Sequence, residues 1–141
     1  MIIVYAPEGE PEQRIPVKLD RVLLPEAIAI EKRTGWDYDA FKVRLIQGNA
    51  LARLAMLHIL LKRTHPGLNF DDLASTLPVG GVRAEFDREE LDDMLDKART
   101  DPAVKDEDRG EIIAAINRMI AGSGDVEVPK DQIASDGETV S

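Results

Sequence analysis

The segment GNALARLAMLHILLKRTHPG, residues 48–67, decides how the first half of this chain can fold. Between Ala50 and Leu61 only Arg53 and His58 are not apolar. An ordinary surface helix carries one apolar stripe and one polar face. A helix that is apolar nearly all round is therefore either surrounded by its own domain or open to part of another protein.

Turn-forming and capping residues place two further helices before this segment. Pro25 suits the first turn of a helix, and Gly35 suits the residue that ends it. Asp37 can cap the start of the next helix, which Gly48 can close, and Asn49 can then cap the apolar helix. The short connections predict three helices that pack closely as neighbours.

The N-terminal residues have the pattern of a β-hairpin. Ile2–Tyr5 is rich in β-forming residues, residues 7–11 break regular structure, and residues 15–19 alternate between apolar and other side chains. Because proline cannot donate a backbone hydrogen bond, Pro16 predicts that the second strand lies at an edge of the sheet.

Two amphipathic helices are predicted in the second half of the chain. Asp87 and Glu90 have the spacing of a capping box, and the same spacing recurs from Asp108. Apolar residues follow each box at helical spacing, and Gly122 is the predicted end of the second helix. Periodicity is absent from 123 to 141, where small polar residues dominate, so this segment is predicted to be disordered.

These patterns predict a mainly α fold. It comprises a short N-terminal β-hairpin, a small helical bundle, and an acidic helical C-terminal region with a disordered tail. The predicted divisions are 1–84 for the hairpin and helical domain, 85–122 for the acidic helices, and 123–141 for the tail. Within the first division, residues 70–73 read as one capped helical turn and residues 77–82 as an extended loop.

Charge is distributed unevenly along the chain. Residues 1–84 carry 11 Lys and Arg against 10 Asp and Glu, whereas residues 85–141 carry 7 against 17. Nucleic-acid binding requires a basic patch, which neither half supplies, so we expect no nucleic-acid partner. The acidic half is typical of a solubilising surface, of a partner for a basic protein, or of a solvated tail.

Several other classes of protein are disfavoured. The absence of cysteine excludes disulfides and Cys-type metal sites. No apolar run reaches the roughly 18–20 residues that span a bilayer, and the N-terminus lacks the pattern of a signal peptide. We therefore expect a soluble, intracellular protein without a membrane partner.

The sequence offers little support for catalysis. His58 and His65 lack metalloprotease spacing, and a hydrogen-bonded structural role is favoured for His58. Gly80 and Gly81 have no following Lys or helix start that would make a phosphate loop, and the residues from Asp106 match a calcium loop only loosely. We expect no enzyme activity, no cofactor and no metal.

The apolar and aromatic side chains remain as candidates for binding. Each of them is also a plausible core residue, and both interpretations hold if one side of the 50–61 helix packs internally while the other receives an amphipathic helix. The predicted partner-binding residues are Trp36, Phe41, Leu54, Met56, Leu57, Ile59 and Leu60.

Residues from about 14 to 73 form a recognisable series of motifs. The helix E-A-x-A-I-E-x-x-T-G spans Glu26–Gly35, an aromatic residue and a glycine break follow, an apolar helix ends in L-L-K-R at Leu60–Arg63, and P-G-x-x-F-D-D spans Pro66–Asp72. This series resembles the tail assembly chaperones of long-tailed phages, particularly those with actinobacterial hosts. The resemblance covers about half of the chain.

The resemblance implies a non-catalytic function. Proteins of this family coat the aggregation-prone tape measure protein in the host cytoplasm until tail tube subunits replace them, and they are absent from the mature virion. The implied partner is the tape measure protein, with the tail tube protein as a second candidate. Many members have a longer form made by ribosomal frameshifting, and Pro129-Lys130 permits a slippery codon pair. Exposed strand edges and apolar helix faces also favour self-association.

Two other functions are compatible with the same residues. A structural subunit of the phage tail or of the head–tail connection would form a ring and remain in purified particles. A small acidic regulator would cover a basic surface on another protein, and its binding would weaken steeply with salt.

Overall fold

The computed structural model describes residues 1–102 and 104–127, with the side chains of 123–127 excepted. The chain is mainly helical with an antiparallel β-hairpin region at its N-terminus, which confirms the predicted fold class. It divides into two compact units, and the boundary lies between Glu85 and Phe86. Glu85 belongs to the first unit because it is the last residue of a strand.

The elements of the first unit follow one another with short connections. In chain order they are β1 (Ile2–Tyr5), β2 (Gln13–Pro16), α1 (Leu24–Thr34), α2 (Tyr38–Ile46), α3 (Ala50–Lys62), α4 (Phe70–Ser75) and β3 (Val82–Glu85). The second unit contains α5 (Arg88–Thr100) and α6 (Asp106–Glu127).

The three strands form one antiparallel sheet in the order β2-β1-β3. The predicted edge position of β2 is confirmed, since Pro16 is its last residue and pairs with Ile2. The strand is shorter than the alternation predicted, because Leu19 begins a 3-10 turn that ends at Arg21. Beyond the strand, the Val17 N–H still donates to the carbonyl of Met1 at 2.9 Å.

Strand β3 was not predicted. Residues 77–82 were expected to form an extended loop, but Val79–Gly81 is a 3-10 turn and the chain then pairs with β1. The sequence of β3, VRAE, alternates weakly, and its partner lies about eighty residues earlier, so local pattern gives no signal for the pairing. An ion pair between Arg14 of β2 and Glu85 of β3, at 2.5 Å, links the two edge strands.

The predicted boundaries of α1, α2 and α3 are confirmed by their cap geometry. Gly35 and Gly48 have φ values of 79° and 84°, a left-handed conformation that glycine adopts without a Cβ penalty. The Asp37 carboxylate accepts from the Ala40 N–H at 2.8 Å, and the Asn49 side chain accepts from the Ala52 N–H at 3.0 Å. Local sequence is therefore enough to divide α1, α2 and α3.

Helix α3 lies at the centre of the first unit. It packs against α1, α2, α4, β1 and β3, so apolar side chains on nearly every side of it find a neighbour. Fully buried side chains from the surrounding elements complete this core, namely Ile3, Ile30, Phe41 and Leu45.

In the described part of the second unit, α5 and α6 pack against each other. The predicted capping box at the start of α5 is confirmed: Asp87 accepts from the Glu90 N–H at 2.8 Å, and Glu90 accepts from the Asp87 N–H at 3.0 Å. Leu91 of α5 and Ile116 of α6 are buried at 1% and 0% exposure.

The predicted end of the last helix was wrong. Helix α6 continues through Gly122 to Glu127. A single glycine inside a helix costs only about 1 kcal/mol relative to alanine, which is not enough by itself to end the helix. The first five residues of the predicted disordered tail, 123–127, therefore lie in α6, and residues 128–141 lie outside the described residues.

Arg109 has a role that the sequence did not suggest. Its guanidinium group reaches from α6 to the C-terminal end of α5, where it donates to the carbonyls of Ala98, Asp101 and Val104. The carbonyls in the last turn of a helix, such as that of Ala98, have no backbone donor within the helix. Arg109 therefore holds the connection between the two helices in place.

Candidate partner-binding site

Five of the seven predicted partner-binding residues are buried in the core. Phe41, Met56 and Leu57 are 0% exposed, and Ile59 and Leu60 are each 5% exposed. Their apolar character is accounted for by packing within the first unit, so none of the five is open to a partner in this conformation. That these residues bind a partner stays a prediction that would require the helices to separate.

Trp36 and Leu54 are the two predicted residues that remain partly accessible. Trp36 lies in the connection between α1 and α2, and the guanidinium carbon of Arg44 lies 5.1 Å from the centre of its ring. This is the geometry of a cation–π contact, which partly covers the tryptophan. The seven predicted residues therefore comprise five core residues and two that are partly accessible.

Large apolar side chains are more exposed on α1, and directly before it, than on α3. Leu23, Leu24 and Ile28 are 61%, 73% and 42% exposed, and we call them the apolar ridge. Leu24 and Ile28 are four residues apart and therefore share one face of the helix. The ridge was not among the predicted binding residues, because an apolar residue in a helix gives no sign of whether a neighbour covers it.

A groove runs between α1 and α3. It has a volume of about 120 Å³. Its lining residues are Ala29, Ile30, Arg33, Ala55, His58, Ile59 and Lys62, and we call it the α1–α3 groove. Ile30, Ala55 and Ile59 are buried and provide an apolar floor, whereas Arg33 and Lys62 are exposed and provide a cationic rim.

An ion pair fixes the relative direction of the two helices. The Arg63 Nε and Nη2 atoms each donate to one oxygen of Glu26 at 2.8 Å, a bidentate arrangement. Glu26 lies in the first turn of α1 and Arg63 directly follows α3. The start of α1 therefore lies beside the end of α3, and the helices run antiparallel.

The same ion pair sets the protonation of Glu26. Hydrogen bonds from Arg63 lower the pKa of the Glu26 carboxyl group below its ordinary value, and they outweigh partial burial, which raises it. The backbone N–H of Leu23 also donates to this carboxylate, at 3.0 Å, and lowers the pKa further. Glu26 is therefore ionised at neutral pH and is not available as a proton donor.

Phe70 and its neighbours support one wall of the groove. The His58 Nε2 atom lies 2.9 Å from the carbonyl oxygen of Leu68, and the His58 ring meets the Phe70 ring edge-on at 5.3 Å between centroids. The prediction of a hydrogen-bonded structural histidine is confirmed. The guanidinium carbon of Arg33 lies 4.2 Å from the centre of the Phe70 ring, which holds Arg33 at the rim.

The positive charge at the rim is not neutralised within the described part of the chain. Neither Arg33 nor Lys62 forms an ion pair there, in contrast to Arg63. An apolar floor with free cations on both walls suits an apolar side chain flanked by carboxylates.

Residues 1–102 and 104–127 contain no group of three or more His, Asp or Glu side chains placed to hold a metal ion. None of the helices in this part of the chain combines the length and the apolarity needed to cross a lipid bilayer.

Comparisons of the chain with models of known protein families, with curated proteins and with solved structures found no match. The relation to tail assembly chaperones therefore rests on the resemblance between residue patterns. It stays a prediction.

The groove could not be predicted from the sequence, because its two walls come from separate helices. Ala29 and Arg33 are four residues apart on α1, as are Ala55 and Ile59 on α3, so each pair could be assigned to one helix face. Only the pairing of α1 with α3 brings these faces together. One local signal was available, since both helices carry cations in their last turns, Arg33 in α1 and Lys62 in α3.

Proposed function

We propose that this protein is a non-catalytic tail assembly chaperone of a phage, which binds the helical tape measure protein and keeps it soluble during tail assembly. The observation that carries the proposal is the exposed apolar ridge of Leu23, Leu24 and Ile28. An exposed cluster of large apolar side chains is typical of an interaction surface. Leu24 and Ile28 of the ridge lie on α1, whose motif E-A-x-A-I-E-x-x-T-G is part of the resemblance to the family.

The charge distribution supports the same proposal. A chaperone that presents apolar surface at high copy number needs charge elsewhere to remain soluble. The second half of the chain carries 17 acidic against 7 basic residues, and α5 exposes carboxylates such as Asp92, Asp93 and Asp96 to solvent. The first half, which holds the ridge and the groove, is close to neutral.

Co-expression with the tape measure protein tests the proposal. The bait is the full chain, and the prey is the longest helical reading frame downstream of its gene. We expect the prey to become soluble and to co-purify at about 0.5 M salt, because apolar contacts are screened little by salt. A prey that stays insoluble while the bait alone forms a defined ring would overturn the proposal in favour of a structural tail or connection subunit.

Two variants test whether the ridge is the surface that binds the prey. Leu24→Ser combined with Ile28→Ser removes apolar surface from the ridge and is expected to reduce capture of the prey. Val79→Ser removes a single apolar side chain that is more accessible than either of these, at 88% exposed, from a position outside α1. Equal capture by the two variants would show that the ridge is not the binding surface.

A further inference from the structure

The α1–α3 groove is large enough for one apolar side chain. An apolar cavity of about 150 Å³ in another protein binds a benzene molecule. At about 120 Å³, this groove can admit a side chain such as Leu or Phe. Its floor of Ile30, Ala55 and Ile59 offers only carbon atoms for contact at the side-chain level.

The two free cations of the rim lie towards opposite ends of the groove. Lys62 is next to Arg63, which binds Glu26 at the start of α1. Arg33 is seven residues beyond Glu26, or about 10 Å further along the axis of α1. Two carboxylates that bind both cations must therefore be separated by roughly two helical turns.

We infer that the α1–α3 groove binds an amphipathic helix that carries one large apolar residue between two acidic residues seven positions apart. In a helix, positions i, i+4 and i+7 lie on one face, so the apolar side chain enters the groove while the carboxylates bind Arg33 and Lys62. This inference rests on the proposed function, since it assigns the helix to the tape measure protein.

The acidic helices of a second copy of the chain do not fit this pattern. Within α5 and α6, Glu89 and Asp96 form the only acidic pair with a spacing of seven. The positions between them that would face the groove are Asp92 and Asp93, which are acidic rather than apolar. The charge of the rim therefore points to a partner other than α5 or α6 of a second copy.

Peptide binding to the full chain tests the inference. The probe is a fluorescein-labelled helical peptide of about 18 residues with the pattern Glu-x-x-x-Leu-x-x-Glu, and binding is followed by fluorescence anisotropy. One control peptide carries Lys in place of both Glu residues, and another carries Ala in place of Leu. We expect each control to bind at least about tenfold more weakly. The first loses the attraction between its carboxylates and the cations of the rim, and the second loses the apolar side chain that fills the groove.

Variants of the protein locate the binding site. Lys62→Glu is expected to weaken peptide binding about tenfold, whereas Lys18→Glu, an equal charge change at an exposed loop position, should change it by less than about twofold. Arg33→Glu has Lys32→Glu as its control, one residue away on the same helix. Because Arg33 also stacks on Phe70, the decisive charge variant is Lys62→Glu.

A third variant fills the groove without changing charge. Ala29 is exposed, so Ala29→Phe can place a ring over the groove without entering the core, and it is expected to abolish peptide binding. Ala114→Phe, at an exposed position of α6, is the matched control. Unchanged peptide binding in both Lys62→Glu and Ala29→Phe would overturn the inference.

These experiments distinguish a failure of the groove assignment from a failure of the proposed function. If the tape measure protein is captured equally by the wild type and by Lys62→Glu, the proposed function stands and the groove assignment fails. If the peptide binds in the groove but the tape measure protein is not captured, the groove stands and its assignment to that client fails. Dissociation of self-associated protein by the peptide would show that a second copy occupies the groove, which also overturns the inference.

Discussion

Helices α1 and α3 lie beside each other, yet their apolar residues are covered to very different extents. Met56 and Leu57 of α3 are 0% exposed, whereas Leu24 and Ile28 of α1 are 73% and 42% exposed. α3 is enclosed by α1, α2, α4, β1 and β3, while α1 lies at the outside of the bundle against α2 and α3. Position in the fold, rather than apolar content, therefore separates a core helix from a helix that is available for binding.

The largest expected effect is the difference in stability loss between shortening a side chain of the core helix α3 and shortening one of the outer helix α1. Leu57→Ala should lower the free energy of unfolding by about 3 kcal/mol, because it leaves a cavity among fully buried side chains. Leu24→Ala should change it by less than about 0.5 kcal/mol, since that side chain is mostly in water. Urea unfolding followed by circular dichroism measures both values, and equal losses would remove the distinction between the two helices.

The second effect concerns how the two helices begin. The Asn49 side chain caps α3, so Asn49→Ala should cost about 1 kcal/mol, while Asn49→Asp keeps the acceptor and should cost much less. The residue before α1, Leu23, has no polar side chain, and its N–H is bound by Glu26 instead. Thermal unfolding of the two Asn49 variants checks the prediction, which would fail if both lost the same stability.

A smaller effect is expected from the ion pair that joins the two helices. Glu26→Gln should lower stability at pH 7 by up to about 1 kcal/mol, because Arg63 is 42% exposed and solvent screens the pair. Asp39→Asn is the control, since Asp39 is 86% exposed where it pairs with Lys42 and should contribute little.

The pH dependence of the Glu26 variant has a defined sign. The pKa of Glu26 is lower in the folded protein than its ordinary value of 4.5, so its ionised form stabilises the fold above that pH. This stabilisation is lost as the pH falls through the lowered pKa of the folded state. The difference in unfolding free energy between wild type and Glu26→Gln should therefore shrink below about pH 4.5, and a difference that grew on acidification would contradict the assignment.

The smallest expected effect on stability comes from the apolar ridge. Leu24→Ser should leave the unfolding free energy within about 0.5 kcal/mol of the wild type but reduce self-association, because it removes apolar surface that another molecule could cover. Sedimentation velocity compares it with Val79→Ser, which removes exposed apolar surface elsewhere. If only Val79→Ser reduced self-association, the ridge would not be the contact surface.

The parts of the fold that were predicted correctly depend on neighbours within a few residues. Gly35, Gly48 and Asn49 mark helix ends through backbone conformation and capping, which are local properties. Strand β3 and the bond from Arg109 to the end of α5 were missed because each depends on a partner that helical or strand periodicity does not identify. The end of α6 was placed too early because a single glycine was given more weight than its helix propensity warrants.

The candidate site was predicted less well than the fold. The selected residues were the most apolar and aromatic ones, and five of the seven are in the core. The ridge and the α1–α3 groove consist of residues that look ordinary in sequence, such as Ala29 and Lys62. A binding surface is defined by what remains uncovered, and this depends on the packing of every neighbouring element.

The sequence by itself determined the helical class, the division into a near-neutral and an acidic half, and most of the helix ends, because these follow from composition, periodicity and local hydrogen bonding. Only the tertiary structure decided that α3 is a core helix and that α1 presents the open apolar surface. The physical reason is that a helix of the composition of α3 gains free energy from burial against any apolar neighbour. Which neighbour covers it is settled by the packing of the whole unit.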